Sequence, residues 1–273
     1  MSEPFPNRQT LGQRVKKMFA PVLVALAAVG KWILPAIKFG IPLLKMVGFM
    51  GLALFFYAKA FGWPFAVGFI ILIFVHEMGH VIAARMVGLK VSLPYFIPFA
   101  GAVIMLKEAP RNAWIESIIG IGGPLLGSVG ALVAAACYFG TGNALFLGLG
   151  YVGFFLNLFN LVPVVPLDGG RIVAAISPLL WVVGLVIMVP YLVLRIIQGG
   201  LINSAVTVLI LLIVLSSVPR VLALFRKRTP EQLRYFECTP AQRTIMGLLY
   251  FSLIASLYVG METVKKLMGT DSF

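Results

Sequence analysis

The feature that most limits how this chain can fold is an apolar run, residues 67–84, that contains His76, Glu77 and His80. The run is close to the length of a membrane-spanning helix. Histidines four positions apart lie on one face of a helix, so both imidazoles can bind one zinc ion. Glu77 is placed beside them to accept a proton from a water that zinc activates. Because ionisable groups are costly inside a membrane, a merely structural polar cluster is the weaker alternative.

The composition indicates a polytopic membrane protein. Hydrophobic residues make up 60% of the 273-residue chain and charged residues only 11%, whereas soluble domains carry about 25% charged residues. The net charge of +13 fits basic residues at helix ends and an anionic membrane surface. We expect no nucleic acid partner, because no basic run is interleaved with aromatic residues. Cys137 and Cys238 do not form a disulfide framework.

Hydropathy predicts an all-α polytopic membrane protein with about six to seven transmembrane helices. The fifth apolar segment can be broken near Pro178 or Pro190. The predicted spans are approximately residues 46–61, 64–86, 115–139, 144–165, 172–197, 201–218 and 244–261.

The segment 91–106, between the second and third spans, is apolar but too short and too rich in proline for a spanning helix. Its β-branched and aromatic residues predict a short membrane-embedded β-hairpin or re-entrant segment. An extended segment beside a peptidase site can pair with a substrate strand. The alternative is an amphipathic cover for the helix bundle.

The distribution of basic residues predicts the orientation. If the N-terminus is cytoplasmic, 18 of the 22 basic residues fall on the cytoplasmic side, as the positive-inside rule requires. The exceptions are Lys59, Arg195, Lys265 and Lys266. This orientation puts His76 and His80 in the cytoplasmic half of the second span. We expect a multi-pass protein of a bacterial inner membrane with its site open toward the cytoplasm; an organellar membrane is the alternative.

A third metal ligand must be an acidic residue, because the chain contains only two histidines and zinc hydrolases usually have three protein ligands. Among the nine acidic residues, Asp168 is the strongest candidate for this ligand. It follows the fourth span, where Pro163 and Pro166 stop a helix and Gly169 and Gly170 permit a tight turn. Its carboxylate therefore lies at the cytoplasmic end of that span. The alternative is a helix-end residue that pairs with Arg171.

Two stretches together resemble the site-2 protease family of intramembrane zinc metalloproteases, in a short form without a PDZ domain. Residues 76–80 match its His-Glu-x-x-His motif, and residues 160–169 match Asn-x-x-Pro-x-x-Pro-Leu-Asp-Gly. The glycine-rich residues 120–124 are similar to a third family element. The resemblance covers approximately residues 64–171.

The resemblance implies that one zinc ion is bound by His76, His80 and Asp168. It implies that Glu77 is the catalytic base and that Asn160 binds the substrate backbone or the oxyanion. The implied partners are the lipid bilayer and a transmembrane protein or peptide substrate, which is hydrolysed; the oligomeric state is not predicted. A non-proteolytic zinc-binding protein, either a transporter or an inactive scaffold, is the alternative function.

Two other features have simpler explanations. For Asn160 an interhelical hydrogen bond is the alternative, and for Asn157, one turn earlier, that explanation is preferred. The glycines that recur at three- and four-residue intervals favour close helix packing over ligand binding. They are Gly120, Gly123, Gly127 and Gly130.

The chain is accordingly divided into three regions. Residues 1–45 are expected to form a cytoplasmic or interfacial basic amphipathic segment, with Lys31, Lys38 and Lys45 on one side. Residues 46–218 form the transmembrane metalloprotease domain, with its catalytic core at 64–171. Residues 219–273 form a basic cytoplasmic loop and the last transmembrane helix.

Overall fold

The computed structural model describes residues 40–41, 43–92, 95–97, 101–199, 205–227 and 229–269. The chain divides into two compact units, residues 1–48 and residues 49–273. Most of the first unit lies outside the described residues, and so does most of the amphipathic segment expected at 1–45. The second unit contains all the predicted site residues.

Helices dominate the described part of the chain. They are α1 (Leu43–Phe61), α2 (Trp63–Met86), α3 (Ala113–Thr141), α4 (Ala144–Asn160), α5 (Asp168–Ile176), α6 (Leu180–Gly199), α7 (Ala205–Leu224), α8 (Pro230–Tyr235) and α9 (Pro240–Leu267). Within those residues, six helices are long and apolar enough to cross a membrane: α1, α2, α3, α6, α7 and α9. At 17 residues, α4 is apolar but shorter. The protein is therefore a multi-pass integral membrane protein.

The structure corrects two of the predicted spans. The fourth ends at Asn160 rather than near residue 165, because Pro163 disfavours helical backbone at the residue before it and has no N–H to donate. The fifth span is two helices, since α5 ends at Ile176 and α6 begins at Leu180. The break falls at Pro178, whereas Pro190 lies within α6.

Two short strands occupy the connection between α2 and α3. Strand β1 (Tyr95–Ile97) pairs antiparallel with β2 (Gly101–Val103), with Phe96 opposite Ala102. An isolated bridge between Val91 and Leu106 continues this pairing toward the helices. That the segment is embedded in the membrane stays a prediction.

Helices α2 and α3 cross with their backbones in close approach. The crossing point is Gly79 of α2 against Gly122 of α3, where a Cβ on either glycine would collide with the carbonyl of the other. Glycine is therefore needed here for close approach and not for an unusual backbone angle. The crossing brings the face of α2 that carries the histidines against the first half of α3.

The last helix belongs to the core. A buried cluster joins α3, α4, α5 and α9, and its α9 members are Met246, Tyr250, Leu253, Leu257 and Val264. The connection before α9, expected to be a loop, contains the short helix α8, which Thr229 begins with a capping box. Residues after the predicted core 64–171 thus pack against α3, α4 and α5.

Candidate metal centre

Three buried side chains from two distant parts of the chain meet at one point. The Nε2 atoms of His76 and His80 lie 3.1 Å and 3.2 Å from Oδ2 of Asp168. The two Nε2 atoms lie 3.2 Å apart. In the part of the chain that the structure describes, these three residues form the group whose donor atoms could hold a metal ion.

The position of each donor follows from its helix. His76 and His80 are one turn apart on α2, so their rings project from the same face. Asp168 is the first residue of α5, where the partial positive charge of a helix N-terminus favours a carboxylate. The loop after α4 brings this N-terminus to the two histidines of α2.

Asn157 orients the ring of His76. Its amide nitrogen donates to the carbonyl of Gly153 at 2.7 Å, which leaves Oδ1 free to accept. That oxygen lies 2.8 Å from Nδ1 of His76. The Nδ1–H of His76 therefore donates to Asn157, and the lone pair of Nε2 points toward Asp168.

His80 is oriented in the same way by α3. Its Nδ1–H donates to the backbone carbonyl of Ile119 at 2.7 Å, so that its Nε2 also carries a free lone pair. The ring lies against Gly123, where a Cβ would overlap the imidazole. The glycine-rich residues 120–124 thus serve both the helix crossing and the placement of a candidate ligand.

The loop before Asp168 is held by backbone contacts. A Cβ at Gly169 would meet the carbonyl of Leu161, and one at Gly170 would meet the backbone of Val164. Both glycines lie in the first turn of α5 without positive φ angles. Close approach, and not the tight turn expected from the sequence, is therefore the reason for glycine at these positions.

Two further helices hold the same loop. The hydroxyl of Tyr250 on α9 donates to the carbonyl of Leu161 at 2.5 Å. Ser217 on α7 donates to the carbonyl of Val165. These bonds satisfy carbonyls that have no helical partners after α4 ends, and they connect the Asp168 loop to α7 and α9.

Charged neighbours complete the surroundings of Asp168. Its second oxygen, Oδ1, lies 4.0 Å from Nη1 of Arg171. The Nε atom of Arg171 lies 3.6 Å from Oε1 of Glu116 on α3. The alternative expected for Asp168, a pairing with Arg171, is thus present together with the contacts to the histidines. The two carboxylate oxygens have different partners.

The three donors, Glu77 and Asn160 all line one cavity of about 450 Å³, within the size range typical of ligand sites. Its other walls are mostly apolar and come from several elements, including Tyr57, Phe69, Val91, Leu106, Phe159 and Ile213. The structure therefore places every predicted site residue at this cavity. Of the two asparagines, Asn157 and not Asn160 has its side chain hydrogen-bonded to His76.

The donor set fits zinc. Tetrahedral zinc with ligand bonds of about 2.0–2.1 Å separates neighbouring donors by about 3.3–3.4 Å, close to the 3.1 Å and 3.2 Å between these atoms. Both histidines have their Nδ1 atoms bonded to oxygen acceptors, as metal-ligating histidines usually do. Two neutral imidazoles and one carboxylate are the ligands of several zinc hydrolases.

Sequence reasoning missed the contribution of Asn157. The expected explanation, an interhelical hydrogen bond, is right in kind, but the partner is a candidate metal ligand. Gly127 on α3 faces the Asn157 amide, where a Cβ would overlap it. The spacing of the glycines does not reveal which polar side chain they face, because that depends on how the helices pack.

Comparison with known protein families matches the part of the chain that carries the two histidines. Residues 64–146 match the sequence model of Peptidase family M50. This segment includes His76, Glu77 and His80 and ends before Asn157 and Asp168. The place of Asp168 at the site is therefore supported by geometry and by its own motif.

Two curated proteins are similar to part of the chain. A zinc metalloprotease of Methanocaldococcus jannaschii is 35% identical over 119 residues, which are 41% of this chain and 34% of the relative. A protein of Synechocystis sp. that is named as a zinc metalloprotease is 32% identical over 128 residues, 42% of this chain and 33% of that relative. The chain spans about a third of the length of the curated relatives it matches. The resemblance to the site-2 protease family, predicted from the two motifs, is thereby confirmed.

Proposed function

We propose that this protein is an intramembrane zinc metalloprotease that hydrolyses peptide bonds of transmembrane substrates. The observation that carries the proposal is the convergence of His76, His80 and Asp168 beside Glu77 in one largely apolar cavity. These three residues would hold one zinc ion. When bound, zinc polarises the scissile carbonyl and makes water a stronger nucleophile at neutral pH.

Glu77 is the proposed general base. It is buried, it lines the cavity, and it directly follows His76 on α2. From this position its carboxylate accepts a proton from the attacking water and passes it to the departing amine. The hydrophobic walls exclude competing polar contacts, which strengthens the electrostatic interactions of the few charged groups in the cavity.

Asn160 is the proposed substrate-binding residue. Its side chain lines the cavity at the end of α4, where an amide N–H can donate to the substrate backbone or to the developing oxyanion. Asn157 instead donates to Gly153 and accepts from His76. The two asparagines of α4 therefore have separate proposed roles.

The substrate must present an unwound peptide bond. In a membrane helix the scissile carbonyl is already hydrogen-bonded within the helix, so that local unwinding precedes attack. The paired strands β1 and β2 lead through Val91 and Leu106 to the cavity wall. They offer an extended edge to which an unwound substrate segment can add. We place the cavity toward the cytoplasm of a bacterial inner membrane, because this orientation assigns 18 of the 22 basic residues to the cytoplasmic side.

The test is a comparison of wild type with Glu77→Gln in proteoliposomes. Mass spectrometry follows a mixture of single-span peptides, and metal analysis measures zinc content. We expect the variant to retain zinc and lose at least about 100-fold in cleavage rate, since general-base catalysis contributes roughly 10²–10⁴-fold. Cleavage at the wild-type rate would rule out Glu77 as the base. Zinc binding without any cleavage by wild type would favour a transporter or an inactive scaffold.

A further inference from the structure

Helix α8 lies outside the spanning helices, yet one of its residues reaches the surroundings of Asp168. Tyr235, the last residue of α8, donates its hydroxyl hydrogen to Oε2 of Glu116. The other oxygen of Glu116 faces Nε of Arg171 at 3.6 Å. Arg171 in turn faces Oδ1 of Asp168 at 4.0 Å. Four side chains from α8, α3 and α5 thus form a continuous series that ends at a candidate metal ligand.

The series distinguishes the two oxygens of Asp168. Its Oδ2 lies near both histidines, whereas Oδ1 faces the positive charge of Arg171. Oε1 of Glu116 faces Nε of the same guanidinium, and Oε2 of Glu116 accepts a hydrogen bond from the hydroxyl of Tyr235. With Oδ1 facing Arg171, Oδ2 is the oxygen that faces the donors of the metal site. Partners of this kind orient metal ligands and tune the affinity of the site.

The position of Tyr235 is itself well determined. Its neighbour Phe236 packs edge-on against Trp181, with ring centroids 6.0 Å apart. The indole N–H of Trp181 donates to the carbonyl of Gly170 at 2.7 Å, in the first turn of α5. Arg243 of α9 also donates to the carbonyl of Phe236 at 3.1 Å. The end of α8 is thereby docked against the helix that begins with Asp168.

The hydroxyl of Tyr235 is a reliable donor. Burial, and then the carboxylate of Glu116, raise the pKa of Tyr235 above its usual value. The phenol therefore stays protonated across the physiological range, and the hydrogen bond to Glu116 persists.

We propose that Tyr235 is a positioning residue for the metal centre: through Glu116 and Arg171 it holds the Asp168 carboxylate so that Oδ2 alone faces the histidines. The connection between α7 and α9 is then part of the metal-binding apparatus. This inference relies on the metal site of the proposed function and extends it to a helix that neither motif includes.

The test measures metal binding without proteolysis. Purified full-length protein in detergent is titrated with zinc against a chromophoric chelator, and its cobalt(II)-loaded form is examined by absorption spectroscopy. For Tyr235→Phe we expect zinc affinity to fall by about three- to tenfold, less than the roughly 10- to 100-fold seen when a direct partner of a ligand is lost. The cobalt bands should shift as the carboxylate changes its mode of binding. Tyr191→Phe, at a half-exposed position of α6, is the matched control and should match wild type.

A double-mutant cycle separates this role from simple packing. Glu116→Gln should weaken zinc binding alone, and adding Tyr235→Phe should then change little, because the two act in series. Additive losses, or wild-type affinity and cobalt spectra in both single variants, would overturn the inference. Glu116→Gln provides the same test if Tyr235→Phe does not fold. Failure of wild type to bind zinc would instead refute the metal site itself, and the inference with it.

Discussion

At the scale of single residues, each of the two histidines donates its Nδ1–H to an oxygen and keeps an unprotonated Nε2 with a lone pair. Asn157 accepts from His76, and the Ile119 carbonyl accepts from His80. These bonds select the tautomer and fix the ring orientation before any metal arrives. The lone pairs are therefore preorganised toward Asp168, which reduces the entropy lost when a metal ion is bound.

The two asparagines of α4 should respond differently to substitution. Asn157→Ala removes the acceptor for His76, so we expect zinc affinity to fall by about 10- to 100-fold. Asn160→Ala leaves the histidines untouched and should keep zinc affinity while lowering kcat by about 100-fold, as loss of an oxyanion donor does. Chelator competition and single-turnover cleavage measure the two effects. Equal zinc affinity in both variants would contradict the assignment.

Gly123 should not tolerate a methyl group. In Gly123→Ala the Cβ overlaps the His80 imidazole, so that the ring moves or the helices separate. We expect lost zinc binding and destabilisation of about 1–3 kcal/mol, typical of overpacking. Gly140→Ala is the control, because nothing lies within 4 Å of its Cβ position. It should be neutral or slightly stabilising. Thermal unfolding in detergent and zinc titration distinguish the two, and equal behaviour of both would contradict the predicted overlap.

At the scale of secondary-structure elements, the segment 161–167 is a loop held by its neighbours. Pro163 ends α4, and the freed carbonyls are taken up by Tyr250 of α9 and Ser217 of α7. The end of α4 and the break at Pro178 were predictable approximately from the prolines. The helices that hold the loop were not, because those contacts join residues about 50 to 90 positions apart and depend on helix packing.

Removing the hydroxyl of Tyr250 should loosen this loop. Tyr250→Phe keeps the ring in the core but leaves the buried Leu161 carbonyl unpaired. We expect about 1–3 kcal/mol lower stability and weaker zinc binding through Asp168. Tyr258→Phe, on an exposed face of the same helix, should match wild type. Unfolding in a denaturing detergent, followed by circular dichroism, measures the difference. Unchanged stability in Tyr250→Phe would show that α9 does not support the loop.

At the scale of the whole molecule, the elements that carry the two motifs pack against helices that lie outside the family resemblance. Helix α9 packs on α3, α4 and α5, and α8 reaches Glu116. The site thus depends on residues well beyond the matched segment 64–146. The membrane supplies the surroundings of the many exposed apolar side chains on the outer faces of the helices.

The orientation can be tested by cysteine labelling in a Cys137→Ser, Cys238→Ser background. Glu231→Cys lies at an exposed position of α8, and Lys59→Cys lies at an exposed position near the C-terminal end of α1. If the N-terminus is cytoplasmic, a membrane-impermeant maleimide should label Lys59→Cys in intact spheroplasts. It should label Glu231→Cys only after permeabilisation. The reverse pattern would place the cavity on the outer side of the membrane.

The sequence by itself determined that His76 and His80 share one helix face within the membrane, because spacing and apolar length are local properties. It also selected Asp168, since two histidines required an acidic third ligand. Only the tertiary structure decided that Asn157 and not Asn160 orients His76, and that α8 and α9 support Asp168. Those contacts join residues 81 to 119 positions apart. They arise from close packing of helices, which glycine spacing permits but does not specify.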